Sequence, residues 1–202
     1  EGFCQWAALK AFPPHLKTIV SLCAGTAVMS ARDTIYPSGF MQWVTLVSGV
    51  TLNLNIRAEQ SFWIEKFREM YLNHRPFKEL DQISGNISKY FQTVLQHPIQ
   101  DAYWDRMTLS SSEYDRISIP ILTITGHYDA AQPGAIDYYR RHMQSSSPTV
   151  SQHYLIIGPW DHGHIRVQNK EFGGLTFGEA SLLDMKKLLR EWYDWTLKKG
   201  LS

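Results

Sequence analysis

Two continuous apolar runs of strand length stand out in the second half of the chain, and each ends at a glycine. Residues 119–126 are followed within three positions by Asp129, and residues 154–158 are followed within four by His162. Runs that are apolar throughout, rather than alternately polar, indicate strands buried on both faces of a parallel sheet. Each predicted strand therefore presents an ionisable side chain just beyond its end.

The rest of the pattern places helices around these strands. We predict a helix, a strand and, after a long interval, a strand, a helix, a strand and a final helix over residues 1–12, 16–23, 117–125, 133–144, 152–158 and 178–198. The final helix has apolar side chains at helical spacing at Leu182, Met185, Leu189, Trp192 and Thr196. This order of elements is typical of an α/β fold.

The long interval has a different character. Its segments are polar and rich in aromatic residues, as in residues 60–71, and loops containing proline separate them. Strand signals are scarce there, so we predict a helical insertion over residues 26–115. The parallel sheet and its flanking helices then come from residues 1–25 and 116–202.

Composition narrows the function classes. The formal net charge of +1 gives no reason to expect nucleic acid or an anionic membrane as a partner. No stretch approaches the roughly 18 continuous apolar residues of a membrane span, so we expect a soluble protein, in a compartment that the sequence leaves open. Cys4 and Cys23 are too few for a disulfide framework or for a zinc site alone, and Cys4 is expected to be a small buried residue of the first helix.

Asp129 and His162 are the candidate catalytic residues, because side chains beyond the carboxyl ends of parallel strands build the sites of such sheets. The spacing between them leaves room for one crossover helix, so their strands can be neighbours. A carboxylate on one imidazole nitrogen fixes the tautomer and lets the other nitrogen take a proton from a hydroxyl group. The alternative is that Asp129 caps the next helix and His162 is an ordinary loop histidine.

A metal site is the weaker hypothesis for this region. His164 and Asp161 lie close to His162 in the sequence, but no further group of ligand residues accompanies them. We therefore expect neither a metal nor another cofactor. His127 is expected to form part of a pocket wall rather than to act as a base.

The segments Gly126-His-Tyr-Asp129 and Gly158-Pro-Trp-Asp-His162 resemble the cocaine esterase/Xaa-Pro dipeptidyl-peptidase family of serine hydrolases. Further similarity occurs in the same order along the chain, at residues 2–8, 14–20, 36–40, 97–104, 177–180 and 192–195. The resemblance implies a partial α/β-hydrolase fold with a helical cap. It also implies that Asp129 is the acid and His162 the base of a Ser-His-Asp triad.

The serine of that triad is not evident in the chain. The family's nucleophile elbow reads Gly-x-Ser-Tyr-x-Gly, and its last glycine aligns with Gly2, which places the serine two positions before Glu1. By the same resemblance a jelly-roll domain would follow the last residue. We therefore expect a fragment that is inactive alone and whose partner is the remainder of the same polypeptide; association into a homo-oligomer is left open.

The resemblance predicts a serine acyl hydrolase acting on a small-molecule ester, an amide or a peptide. The expected pocket residues are Phe40, Trp43, Trp63, Trp104, His127, Tyr128 and Trp160. Packing is the alternative role for any single aromatic residue among them. Relatives that act on α-amino acid esters carry acidic residues after the catalytic aspartate, whereas residues 130–133 are Ala-Ala-Gln-Pro. The rival hypotheses are an Xaa-Pro dipeptidyl peptidase and a non-catalytic binding or scaffold protein of the same fold.

Overall fold

A computed structural model describes residues 2–26, 39–47 and 59–198. The chain divides into two compact units. The first unit consists of Glu1–Met29 and Trp104–Ser202, and the second unit is Ser30–Tyr103.

A parallel sheet lies at the centre of the first unit. Its strands in the described part of the chain are β1 (Ile19–Leu22), β2 (Ile121–Gly126) and β3 (His153–Gly158), in the order β1-β2-β3. Both strand pairs are parallel, and the register sets Ile121 opposite Ile19 on one side and opposite His153 on the other. The predicted parallel sheet is confirmed, and with it the expectation that the strands preceding Asp129 and His162 are neighbours.

Helices cover both faces of this sheet. They are α1 (Gly2–Lys10), α7 (Ser111–Asp115), α8 (Gln132–Met143) and α9 (Met185–Tyr193), with a π-helical turn over Asp194–Lys198. Short 3-10 turns occur at Val150–Gln152 and Glu179–Ser181, and a small antiparallel hairpin joins β4 (Glu171–Phe172) to β5 (Leu175–Thr176). The last helix begins later than predicted because the Asp184 side chain caps it, accepting a hydrogen bond of 2.9 Å from the Lys187 N–H.

Two apolar clusters form the core of the first unit. Ile19 and Ile121 belong to one cluster and Val20 and Leu122 to the other, and neighbouring residues of a strand face opposite sides of a sheet. The first cluster also contains Trp6, whose ring stacks on Tyr138 of α8 with centroids 4.4 Å apart. Burial on both faces is therefore confirmed for β2, all of whose residues are buried.

Strand β3 departs from that expectation. Tyr154 and Ile157 are 48% and 43% exposed, because β3 is an edge strand of the sheet within the described residues. The Tyr154 ring is partly covered by Trp192 and Trp195, whose rings meet it edge to face. Trp192 and Met185 are buried, as predicted for the apolar face of the final helix.

The second unit is helical where it is described. Its helices are α2 (Gly39–Val47), α3 (Gln60–Leu72), α4 (Leu80–Ile83) and α5 (Lys89–Gln96), and α6 (Ala102–Asp105) spans the boundary between the units. Its own apolar core includes Met41, Val44, Trp63, Leu80 and Phe91. The predicted helical character is confirmed for these residues, and a role of the unit as a cap stays a prediction.

Two sequence predictions need correction. The predicted insertion ends at residue 115, but the second unit ends at Tyr103, because Leu109 and Tyr114 pack in the core of the first unit beside Ile117. Cys4 was expected to be buried, and its side chain lies on an exposed position of α1. None of the helices in the described ranges combines the length and the apolar character that a membrane crossing requires.

A buried pair of histidines joins α8 to the sheet. His142 Nδ1 lies 2.9 Å from His153 Nδ1, and the outer nitrogens contact Ser147 Oγ at 2.9 Å and Thr123 Oγ1 at 2.8 Å. Ser147 donates its hydroxyl proton to the Ile117 carbonyl at 2.7 Å, so it accepts from His142 Nε2. His142 Nδ1 then accepts from His153 Nδ1, and His153 Nε2 accepts from Thr123. In this series of hydrogen bonds, each donor meets one acceptor only while both imidazoles are neutral.

Burial lowers the pKa of both imidazoles. Burial alone lowers the pKa of His142 to about 4. Burial, and secondarily the charge of His142, lowers the pKa of His153 to about 3. Below the ordinary histidine pKa of about 6.5 the unfolded chain therefore binds protons that the native chain does not bind. The stabilising contribution of the neutral pair is complete above about pH 6.5 and is lost as the pH falls toward the native values.

We predict that acid destabilises the full-length protein through this pair. Between pH 7 and pH 5 the free energy of unfolding should fall by roughly 3 to 4 kcal/mol, about half of it from each histidine. Urea unfolding followed by tryptophan fluorescence measures it, and Trp6, whose ring lies 6.0 Å from that of His153, is a local reporter. The double variant His142→Asn/His153→Gln should flatten the dependence, whereas the exposed His15→Gln should leave it unchanged. Equal stability of the wild type at the two pH values would contradict the prediction.

Candidate active site

Strands β2 and β3 remain hydrogen-bonded beyond their last residues. The His127 N–H donates to the Gly158 carbonyl at 2.7 Å, and the Tyr128 N–H donates to the Trp160 carbonyl at 3.0 Å. The chain then turns, with the Asp129 N–H donating back to Gly126 at 3.2 Å. These bonds fix the loop that carries Asp129 to the loop that leads to His162.

Glycine is required at both strand ends because Trp160 approaches them closely. A Cβ atom on Gly126 would lie 1.9 Å from the Trp160 carbonyl oxygen, and one on Gly158 would lie 2.4 Å from the indole ring. The indole is buried, and its Nε1–H donates to the Ser181 carbonyl at 2.8 Å. The glycine that ends each apolar run in the sequence is thus explained by packing against one tryptophan.

The structure brings Asp129 and His162 into direct contact. His162 Nδ1 lies 2.8 Å from Asp129 Oδ1. The aspartate side chain has no exposed surface, whereas the histidine side chain is 61% exposed. The bond to the carboxylate occupies Nδ1 and leaves Nε2 for a group that approaches from solvent.

Two further donors complete the surroundings of the Asp129 carboxylate. Thr125 Oγ1–H donates to Oδ2 at 3.1 Å, and the Ala131 N–H donates to Oδ1 at 2.9 Å. Ala131 is the N-cap residue of α8, so the carboxylate also supports the start of that helix. The capping interpretation and the histidine-orienting interpretation therefore describe the same side chain. Thr125 and Ala131 were missed by sequence analysis, since a threonine in an apolar run and a backbone amide carry no signal.

His164 pairs with a different carboxylate. Its Nδ1 lies 2.7 Å from Asp161 Oδ1, which also accepts the N–H groups of Gly163 and His164. Burial acts to raise the pKa of Asp161, but the backbone and side-chain hydrogen bonds from His164 outweigh it and lower that pKa. Asp161 thus shapes the turn after Trp160, and His162 and His164 do not share a ligand set.

The structure places three of the predicted pocket residues inside the protein. Trp63, Trp104 and Trp160 are 1%, 2% and 2% exposed, so their rings offer no surface to a substrate. The packing alternative accounts for Trp63 in the core of the second unit and for Trp160 beneath the His162 loop. Trp43 is partly exposed within the second unit, and the side chain of Phe40 lies outside the described residues.

His127 and Tyr128 are exposed beside the Asp129 turn. The Tyr128 ring stacks on Phe172 with centroids 4.7 Å apart, and Phe177 lies 6.1 Å from it. Phe172 comes from the β4–β5 hairpin, whose turn residues Gly173 and Gly174 both have positive φ angles. This aromatic patch was not among the sequence predictions, although two phenylalanines on either side of a Gly-Gly turn were its available signal.

A cavity of the first unit lies away from these residues. Its volume is about 400 Å³, and Leu9, Leu16 and Ile119 contribute to its lining. These residues precede β1 and β2 or belong to α1, so the cavity opens at the amino ends of the strands. Because Asp129 and His162 follow the carboxyl ends, this cavity does not serve them.

Comparison with known proteins agrees with the fold. Among solved structures, an aminopeptidase from the marine sediment archaeon Thaumarchaeota archaeon is similar, with a TM-score of 0.60 at 18% sequence identity. The similarity covers 93% of this chain and 31% of that chain, so this chain spans less than a third of the aminopeptidase. Among curated proteins, none matches the sequence.

A family model gives the more specific finding. The model of the X-Pro dipeptidyl-peptidase (S15 family) matches residues 1–164, which include Asp129 and His162. The resemblance drawn from the glycine-terminated segments is thereby confirmed. Because the matched residues make up most of this chain, the chain belongs to the X-Pro dipeptidyl-peptidase S15 family.

Proposed function

We propose that the chain supplies the Asp-His half of a Ser-His-Asp triad in a serine hydrolase that cleaves an ester or an amide. The contact of 2.8 Å between His162 Nδ1 and Asp129 Oδ1 carries this proposal. A buried carboxylate with an exposed imidazole is the arrangement that such a relay needs, since the carboxylate must hold the ring while the ring meets the substrate. The serine is proposed to lie upstream of Glu1.

The roles follow from the two ring nitrogens. His162 Nε2 accepts the serine proton as the serine oxygen attacks the substrate carbonyl carbon, and it then gives that proton to the leaving alcohol or amine. Water, deprotonated at the same nitrogen, releases the acyl group and restores the serine. Throughout, Asp129 keeps the Nδ1 proton directed at itself and stabilises the imidazolium that forms.

Tyr128 and Phe172 support an apolar or aromatic substrate group. Their stacked rings form an apolar surface beside Asp129, because Tyr128 directly precedes it in the sequence. The segment that follows is Ala130-Ala131-Gln132, and the Gln132 side chain donates to the Gly126 carbonyl at 3.2 Å. This segment thus supplies no carboxylate for a substrate ammonium group, which favours substrates without a free amino terminus.

Removing the imidazole tests the proposal directly. In the full-length protein, His162→Ala should lower kcat/KM by about 10⁴-fold or more, since the serine then has no proton acceptor. His164→Ala is the matched control, because His164 pairs with Asp161 and should leave the rate within a few-fold of wild type. Hydrolysis of aryl esters measures both variants. Unchanged hydrolysis in His162→Ala would refute the mechanism, and absence of hydrolysis in the wild type would favour the binding-protein hypothesis.

The carboxylate has an equally direct test. Asp129→Asn should lower kcat by about 10⁴-fold, because the amide can donate to Nδ1 and hold the imidazole in the wrong tautomer. The same substitution at Asp161, which holds His164, is the control and should cost little. Thermal unfolding of both variants separates lost catalysis from lost folding. A mild effect of Asp129→Asn would show that the His162 contact does not serve catalysis.

An Xaa-Pro dipeptidyl peptidase is the second candidate, and membership of the S15 family favours it. Such a peptidase must recognise a free amino terminus two residues before the scissile bond. The ratio of kcat/KM for Xaa-Pro anilides to that for aryl esters of apolar acids separates the two candidates. We expect the esters to be preferred, because residues 130–133 contain no acidic side chain. A preference for the anilides that acetylation of their amino terminus abolishes would assign the peptidase activity instead.

A further inference from the structure

We propose that Cys23, Asp129 and His162 form a binding site for a thiophilic divalent cation such as Zn²⁺, and that occupation of this site blocks His162. The binding half of the proposal concerns the three side chains alone. The blocking half rests on the proposed function.

The three side chains converge at one edge of the sheet. Cys23 follows β1, Asp129 follows β2 and His162 follows β3. The cysteine sulfur, a carboxylate oxygen and an imidazole nitrogen all lie within 4.8 Å of one another, and in the described part of the chain metal-ligating side chains gather in this way only here. Thiolate, imidazole and carboxylate are the three ligand types that zinc uses in proteins.

The distances are close to those of an occupied site. Zinc bonds of about 2.0 to 2.3 Å in tetrahedral geometry separate the ligand atoms by about 3.3 to 3.8 Å. No separation in the cluster therefore has to shrink by more than about 1 Å, and if Nδ1 and Oδ1 are the ligand atoms their contact of 2.8 Å has to lengthen by about 0.5 Å. Rotation of the His162 ring supplies such a movement, because that side chain is mostly exposed.

Cys23 is held at this position by its backbone. Its φ angle is +50°, which is uncommon for a residue other than glycine, and its N–H donates to the Ile124 carbonyl at 3.0 Å. The buried thiol contacts the His162 carbonyl oxygen at 3.9 Å. The end of β1 thus directs a sulfur toward the loop that carries the histidine.

The ion has a route and a fourth ligand. The His162 side chain is 61% exposed, so a hydrated cation reaches the imidazole from solvent before it meets the buried thiol and carboxylate. Water retained by the ion completes the four-coordinate shell, as it does in zinc sites with three protein ligands. Binding converts the thiol to a thiolate and releases one proton, so affinity should rise with pH.

Either nitrogen of His162 gives the same functional result. A cation on Nδ1 displaces the proton shared with Asp129, and the ring proton then resides on Nε2, which can no longer accept one. A cation on Nε2 occupies the accepting lone pair itself. In both cases the nitrogen proposed to take the serine proton is unavailable, and bound metal acts as an inhibitor.

The second carboxylate–imidazole pair provides an internal comparison. His164 Nδ1 lies 2.7 Å from Asp161 Oδ1, about as close as His162 Nδ1 lies to Asp129 Oδ1. In the described part of the chain, however, no cysteine joins Asp161 and His164 in a group of metal-ligating side chains. The thiol is therefore the feature that distinguishes the proposed site. The sequence carries no signal of this site, because Cys23 is remote from Asp129 and His162 along the chain.

The test uses Co²⁺ as a spectroscopic probe in the full-length protein. A cobalt–thiolate bond gives an ultraviolet charge-transfer absorption, which we expect in the wild type and in Cys4→Ser, whose cysteine is exposed on α1. Cys23→Ser, which keeps nearly the same shape, should abolish it. His162→Ala should weaken Co²⁺ binding while the thiol stays in place, so the result does not depend on one variant. Persistence of the absorption in Cys23→Ser would overturn the site.

Zinc affinity and inhibition complete the test. By calorimetry, Cys23→Ser should bind Zn²⁺ on the order of 100-fold more weakly, since loss of a direct ligand costs at least as much as loss of its supporting partners. In Cys23→Ser, the Zn²⁺ concentration that halves the rate measured without metal should rise by the same factor. In His164→Ala, that concentration should equal the wild-type value. Equal inhibition of Cys23→Ser and wild type would refute the blocking role. Metal binding through Cys23 in a protein that hydrolyses nothing would uphold the site and refute the proposed function.

Discussion

The backbone bonds that continue from β2 to β3 beyond the strand ends are the constraint on which the candidate site depends. Tyr128 donates to the Trp160 carbonyl, so the turn before Asp129 and the turn before His162 cannot move independently. The contact exists only because Gly126 has no side chain, since a Cβ atom there would overlap the carbonyl oxygen. Hydrogen bonds weaken steeply with distance and angle, and a shift of about 1 Å between the loops would separate the imidazole from the carboxylate.

The side chains of Asp129 and His162 differ in burial. The Asp129 carboxylate lies in the interior and accepts from Thr125, from the Ala131 amide and from His162. A buried carboxylate that loses a hydrogen-bond donor keeps its full desolvation penalty, so the surrounding structure resists any rearrangement that leaves it unsatisfied. The exposed imidazole has no such restraint apart from this bond. The site therefore consists of a fixed acceptor and a ring that can turn on it.

The sequence predicted what local pattern and topology determine. Continuous apolar runs identified β2 and its parallel partner, and the order of elements implied that Asp129 and His162 would lie at the same sheet edge. The surroundings of the carboxylate were beyond such reasoning, because Thr125 reads as a strand residue and Ala131 contributes only its amide. Three of the tryptophans predicted to line a pocket, Trp63, Trp104 and Trp160, are buried in the interior instead. The reason is related, because the sequence does not distinguish an aromatic ring that packs in the core from one that binds a substrate. The boundary at residue 116 failed because Leu109 and Tyr114 reach the core from a segment that looks locally like the insertion.

The buried histidine pair and the candidate site lie at opposite ends of the same two elements. Helix α8 begins beside Asp129 and carries His142 near its last turn, while β3 begins at His153 and leads to the loop of His162. The bond between His142 and His153 therefore joins the helix to the strand at one end, and the Asp129 carboxylate joins their extensions at the other. Because a helix and a strand fixed at one end alone can pivot, each contact limits the freedom of the other. The histidine pair and the Asp129–His162 contact therefore hold the same helix and strand at their two ends, although no atom of the pair touches Asp129 or His162 in the hydrogen bonds that the structure describes.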